Sequence, residues 1–176
     1  TTAALTTPVS LTNVKNYLKI DYSTDDTLIT SLIAAARDYT EAYLGSTLIT
    51  TEYTYYTDKF SYIMRIPLGP VQSIDSVKYY NTAGTLATLS TDNYSASGDK
   101  RRIIVTDIPT LEYERLSAVQ IAFTAGYSDT ESSVPDIIKT AIYEMIAYWY
   151  ETREDTTDIP VRAISLLRPY RQEVVV

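Results

Sequence analysis

The sequence predicts an α+β fold: a helical bundle formed by N- and C-terminal helices, with an intervening antiparallel β lobe. Three observations predict it. Apolar residues recur at helical spacing near both ends of the chain. From Thr47 to about Tyr127 the period changes to alternation, rich in Thr and Tyr. Turn sequences at Pro67-Leu68-Gly69-Pro70, Asn81-Thr82-Ala83-Gly84 and Ser97-Gly98-Asp99 divide that stretch into strands.

Ser10 is placed to cap a first helix whose stripe is Leu11, Val14 and Leu18. A second helix starts at a capping-box pattern, Ser23 with Asp26, and Asp25 and Asp26 set negative charge at the positive end of its dipole. Leu28, Leu32, Ala36, Tyr39 and Tyr43 share its predicted face, widened by Ile29 and Ile33, and Ala34 to Ala36 allow close approach of another helix. Arg37 and Glu41 are spaced to pair on the outer side, and Gly45 sits where a left-handed residue ends the helix.

In the middle region Tyr53 and Tyr55 alternate with Thr54 and Tyr56. The run through Ile74, Val77 and Tyr79 alternates imperfectly, which predicts a bulge. Thr85 to Leu89 is the return strand of a hairpin, Arg102 to Val105 an apolar strand, and Val119, Ile121 and Phe123 a clean alternation. Five to seven strands are expected.

Pro135 opens the longest helix at its first position. Ile138, Ile142, Met145 and Trp149 form one stripe, Ile137, Ala141 and Tyr148 a second, and Tyr143, Ile146 and Tyr150 extend it. A helix apolar on so many sides is either central in its domain or covered by a neighbouring chain. Ile159 to Leu167 makes a last helix, stopped by Pro169. The whole chain, 1–176, reads as one domain: N-terminal helices in 1–46, a β lobe in 47–127, C-terminal helices in 134–168 and an extended tail in 169–176.

Composition excludes much chemistry. The 176 residues contain no Cys and no His, which removes thiol nucleophiles, thiolate metal sites and the usual general base near neutral pH. Metal binding would rest on oxygen ligands alone, and no spacing matches an EF-hand loop. No nucleophile elbow, phosphate loop or dinucleotide fingerprint is present. The reading is therefore of a non-enzyme with no cofactor. The net charge of −7 disfavours tight wrapping of nucleic acid but suits a channel wall past which DNA slides. No apolar run approaches the ~20 residues that span a bilayer, and Thr1 to Pro8 lack the regions of a signal peptide.

Acidic residues cluster at Asp25 and Asp26, at Glu112 and Glu114, and at Glu151, Glu154 and Asp155. They lie at helix ends or in polar stretches and read as solvated faces. Lys100-Arg101-Arg102 reads as a charged strand edge. Asn93-Tyr94-Ser95 fits a glycosylation acceptor, a pattern too short to carry weight. The 17 Tyr, against 2 Phe and 1 Trp, suit surfaces that are wet before assembly and covered after it, or simply the edges of a core. The tail carries Arg168, Tyr170 and Arg171 before Val174, Val175 and Val176, apolar strand formers able to add to another chain's sheet.

Taken in order, these segments resemble the head–tail connector (adaptor) proteins of long-tailed bacteriophages. The resemblance runs from Val9-Ser10-Leu11 through Leu32-Ile33-Ala34-Ala35-Ala36-Arg37-Asp38-Tyr39 and Glu41-Ala42-Tyr43-Leu44-Gly45. It continues at Ile66-Pro67-Leu68-Gly69-Pro70-Val71, Phe123-Thr124-Ala125-Gly126-Tyr127 and Trp149-Tyr150-Glu151, and ends at Tyr170-Arg171. The Tyr-rich stretch from Tyr53 to Tyr62, the segment from Asp107 to Arg115 and the valine tail depart from the family pattern.

The resemblance implies a virion protein of the phage neck, assembled in the host cytoplasm. It implies a dodecameric ring of identical copies between the portal protein and a stopper or tail-terminator protein, enclosing the DNA exit channel without binding DNA specifically. On that reading Arg168, Tyr170, Arg171 and Val174 to Val176 dock on the portal. Tyr39, Tyr43, Tyr143, Ile146 and Tyr150 pack between subunits. The alternatives are a stopper or tail-completion protein of the same neck, a Tyr-rich carbohydrate-binding module, and a carboxylate-dependent hydrolase.

Overall fold

In the computed structural model, residues 6–112, 114–152 and 158–172 are described. Thr50–Gly126 forms one compact unit, and the flanking segments 6–49 and 127–172 form another.

The flanking unit is helical: α1 (Leu11–Leu18), α2 (Asp26–Leu44), α3 (Asp136–Thr152) and α4 (Val161–Leu167). Ser10 caps α1 as expected, its hydroxyl accepting from the Asn13 N–H at 3.3 Å. The capping box predicted for α2 does not form. Asp25 occupies the cap position without a side-chain cap bond. Its carboxylate instead accepts from the Tyr150 hydroxyl at 2.5 Å, and that of Asp26 pairs with Lys15 at 2.6 Å. Partners on α3 and α1 outcompete the local backbone for both carboxylates. Gly45 ends α2 with φ 61, its N–H donating to the Glu41 carbonyl.

The buried stripe of α2 is Ile29, Leu32, Ile33, Ala36, Thr40 and Leu44, rotated from the predicted face. Leu28 is 41% exposed. Ala34 and Ala35 are exposed too, so of the three alanines only Ala36 meets the core. Thr40 can be buried because its hydroxyl donates to the Ala36 carbonyl at 2.7 Å, leaving no unmet polar group. Arg37 and Glu41 pair at 3.3 Å, but largely shielded from solvent, and Glu41 also accepts the Leu48 N–H at 2.8 Å.

The carbonyl of Pro135 accepts the N–H groups of Ile138 and Lys139, so Pro135 sits one place ahead of the predicted first helical position of α3. On α3, Ile138, Ala141, Ile142, Met145, Ile146 and Trp149 are all at most 4% exposed. They pack with Val14, Ile29, Ile33, Leu44, Ala163 and Leu167 in one cluster. Each of the Ile, Leu, Val and Met side chains among them contributes about 1.5–3 kcal/mol of burial. Of the two readings of this over-apolar helix, the central one applies to these residues. Ile146 in particular is fully buried in its own chain, which corrects its assignment to subunit packing.

The predicted extended tail starts later than residue 169. Arg168–Tyr170 makes a 3₁₀ turn directly after α4. The Gln172 N–H then donates to the Leu44 carbonyl at 2.9 Å. Val174, Val175 and Val176 lie outside the described residues.

The second unit is all β, with seven strands: β1 (Thr51–Thr57), β2 (Ile63–Arg65), β3 (Val71–Tyr80), β4 (Leu86–Thr88), β5 (Tyr94–Ala96), β6 (Arg102–Val105) and β7 (Val119–Ala125). They form a four-stranded sheet ordered β1-β7-β3-β4 and a three-stranded sheet ordered β2-β6-β5, antiparallel throughout. The imperfect alternation of β3 corresponds to two register shifts against β7, between Val71 and Ser73 and between Ile74 and Ser76. At the β3–β4 turn the Asn81 side chain accepts from the N–H groups of Ala83 and Thr85, and Gly84 supplies φ 71. The core of this unit gathers Phe60, Met64, Ile66, Val77, Leu89, Ile103, Val105, Ile121 and Phe123.

Candidate assembly surfaces

On the helical unit, tyrosines and carboxylates form a mutual network. Tyr17 of α1 stacks on Tyr143 of α3 with ring centroids 5.2 Å apart. The Tyr17 hydroxyl donates to Glu144 at 3.3 Å, and that of Tyr143 to Glu131 at 3.4 Å. Asn13 also donates to Glu131, at 2.8 Å. The Tyr150 hydroxyl lies 3.1 Å from that of Tyr22 as well as bonding Asp25.

Burial, then the Glu131 charge and hydrogen bond, push the Tyr143 phenol up to about 12. Burial and Glu144 raise Tyr17, and the bonds to Asp25 and Tyr22 raise Tyr150. These phenols therefore stay protonated near neutrality and act as donors to neighbouring carboxylates.

The other predicted packing tyrosines sit on α2. Tyr39 and Tyr43 stack one turn apart at 6.2 Å, and the Arg171 guanidinium lies 5.3 Å from the Tyr43 ring. Arg168 and Arg171 are exposed and Tyr170 half-buried against the helical core. The described part of the predicted docking tail thus packs on its own unit. Tyr39, Tyr43, Tyr143 and Tyr150 remain partly exposed.

Within the acidic clusters Asp25, Asp26 and Glu112 have local partners. Glu112 pairs with Arg115 at 2.7 Å, and among the described residues no acidic cluster is arranged to hold a metal ion. In the Lys100-Arg101-Arg102 cluster, Lys100 donates to the Gln72 carbonyl and Arg102 is exposed on β6. Asp99 beside them accepts from the Ser97 hydroxyl and the Arg101 N–H, which hold its carboxyl below the usual range.

Sequence reasoning missed the outer face of the small sheet. Met64, Ile103 and Val105 point into the core, leaving Ile63 and Ile104 opposite one another on the other face, with Ile63 49% exposed. With Ser95, Ala96, Ser97 and Arg102 they line a shallow apolar groove. Leu116, on the loop between β6 and β7, is 78% exposed. No described helix is long and apolar enough to cross a membrane.

The family model of the head completion protein (HCP) matches residues 8–171. The chain belongs to the head completion protein family. This head completion protein also resembles solved chains across its whole length. One is in a structure described as "Neck of empty GTA particle computed with C6 symmetry", with TM-score 0.79, 20% identity, and 100% of this chain and 95% of that one covered. A second, described as "Neck of native GTA particle computed with C12 symmetry", has TM-score 0.79, 21% identity and the same coverage. A third comes from "Virion of native gene transfer agent (GTA) particle", with TM-score 0.79, 20% identity, and 99% and 95% covered. No curated protein matches it. Family and fold agree with the connector resemblance read from the sequence.

Proposed function

We propose that this head completion protein is a structural subunit of the neck of a tailed particle. It forms a ring of identical copies beneath the portal, joins the portal to the next neck component and encloses the DNA exit channel. The observation that carries this reading is the family match over nearly the whole chain, joined to a shared fold with chains from necks computed with C6 and C12 symmetry.

Charge supports the channel role. Of 15 basic and 22 acidic residues, seven and eight lie in Thr50–Gly126, leaving eight and 14 in the helical flanks. The flanks therefore hold most of the net negative charge, and a wall of that sign repels phosphates and lets DNA slide. In the tail, Gln172 is tied to its own unit, and Val174, Val175 and Val176 supply the apolar strand-forming sequence that would add to the portal.

The reading is tested by removing the chain from the particle that encodes it. Filled heads that fail to join tails are the expected product, and tailed particles of normal yield would refute the role. Truncation after Gln172 isolates the docking step. The shortened chain is expected to fold normally but to be missing from portal-bearing heads; full occupancy there removes the valines from the contact.

A further inference from the structure

The outer face of the small sheet sets two arginines opposite one another. Arg65 and Arg102 are direct cross-strand partners, both exposed on the same face as Ile63 and Ile104. Like charges placed opposite one another destabilise a sheet unless something compensates them. Neither arginine forms an ion pair among the described residues; the pairs seen belong to Lys15, Arg37, Arg115, Lys139 and Arg162. Asp99, whose carboxylate accepts from the Ser97 hydroxyl and the Arg101 N–H, attracts Arg102 through space but forms no ion pair with it. The result is a shallow apolar groove rimmed by two arginines without an ion-pair partner among the described residues.

The loop between β6 and β7 is its complement. It presents Leu116, the aliphatic side chain most exposed alongside Val161, and it carries Asp107 and Glu114, both exposed and without a basic partner among the described residues. Leu116 is held out by a built loop. Next to it the Arg115 guanidinium lies 3.4 Å from the Tyr80 ring centroid and bonds Glu112 at 2.7 Å. On its other side the Ser117 N–H donates to Asp58 at 2.8 Å. Leu111 bridges to Asn81. A knob so fixed loses little freedom when it is covered.

We infer that the β unit carries both halves of a head-to-tail contact between copies of this chain: Leu116 of one copy seats in the Ile63–Ala96–Ile104 groove of the next, with Asp107 and Glu114 against Arg65 and Arg102. The two halves are different patches of one chain, so the contact is heterologous and generates a ring when the rotation closes. The inference rests on the ring reading above and names the surface that makes it.

The absence of native cysteine allows a clean test. The full chain with Ile63→Cys and Leu116→Cys together is oxidised and separated on denaturing gels, while native mass spectrometry counts closed rings in the same sample. The double variant is expected to give a ladder of disulfide-linked multimers, and a mixture of the two single variants a dimer only. Replacing Leu116→Cys by Leu86→Cys, an exposed position on β4, is expected to give no ladder. Rings without a ladder overturn this contact and leave the neck reading intact, whereas neither rings nor ladder overturn both. Leu116–Leu116 cross-links in the single variant overturn the head-to-tail geometry in favour of a two-fold one. Arg65→Glu with Arg102→Glu is expected to abolish the ladder, and adding Asp107→Lys with Glu114→Lys to restore it; failure to restore it overturns the charge pairing.

Discussion

The helical unit and the β unit treat their exposed aromatic and charged groups differently. On the helical unit the hydroxyls of Tyr17, Tyr143, Tyr148 and Tyr150 donate to carboxylates of the same unit, Glu144, Glu131, Asp158 and Asp25. On the β unit Arg65 faces Arg102, and Leu116 projects into water. Composition alone directs attention to the tyrosines. The structure directs it to the side chains whose needs go unmet within one chain, and these are Arg, Ile and Leu. An abundance of amphipathic residues is therefore a weaker sign of an interface than a local imbalance.

The contrast can be broken most forcefully in the helical core. Ile146→Ala is expected to lower unfolding free energy by about 2–5 kcal/mol in urea titration. A change confined to assembly would return Ile146 to the interface. Next in size, Arg115→Ala releases the loop that presents Leu116, and amide exchange across 107–117 is expected to rise roughly tenfold while α3 amides are unchanged. Equal exchange in the variant would show that the loop is held by other contacts.

A smaller effect separates the tyrosine network by pH. Tyr143 ionises at its ordinary value of 10.0 when unfolded and at about 12 when folded. Its contribution is thus fully present below pH 10 and lost as pH rises through the folded value, because the unfolded state binds fewer protons there. Tyr143→Phe is expected to flatten the fall in stability over that window, as measured by denaturation at stepped alkaline pH; an unchanged slope would mean that burial and Glu131 do not hold the Tyr143 phenol protonated. Smallest of all, Leu116→Ser is expected to leave monomer stability within about 0.5 kcal/mol. A larger loss in thermal unfolding would make Leu116 part of its own core.

Long periodic elements were legible in the sequence. Ser10 with the stripe through Val14, the alternation of Val119 to Phe123 and the run from Ile138 to Trp149 each repeat their period often enough to declare their type. The short strands Ile63–Arg65 and Tyr94–Ala96 were not, because three residues complete barely one repeat of an alternating pattern. The rotation of the α2 face was hidden by Thr40, which looks like a solvent residue until its hydroxyl is seen bonded within the helix. Asp25 and Asp26 read as dipole charges because their partners, Tyr150 and Lys15, are fixed only by tertiary packing. Leu116 was invisible for a related reason: Glu112, Glu114 and Arg115 make its neighbourhood look like an ordinary polar loop.

The division of the core also sets an order of events during synthesis. All the strands of the β unit emerge before α3, so Ile121 and Phe123 can find their partners while the chain is still growing. The apolar stripe of α2 must wait, because α3 and α4 are separated from it by the entire β unit. A nascent chain that has not yet released Asp136 therefore shows Ile29, Ile33 and Leu44 to solvent, and that interval is when a chaperone or a premature aggregate can capture it.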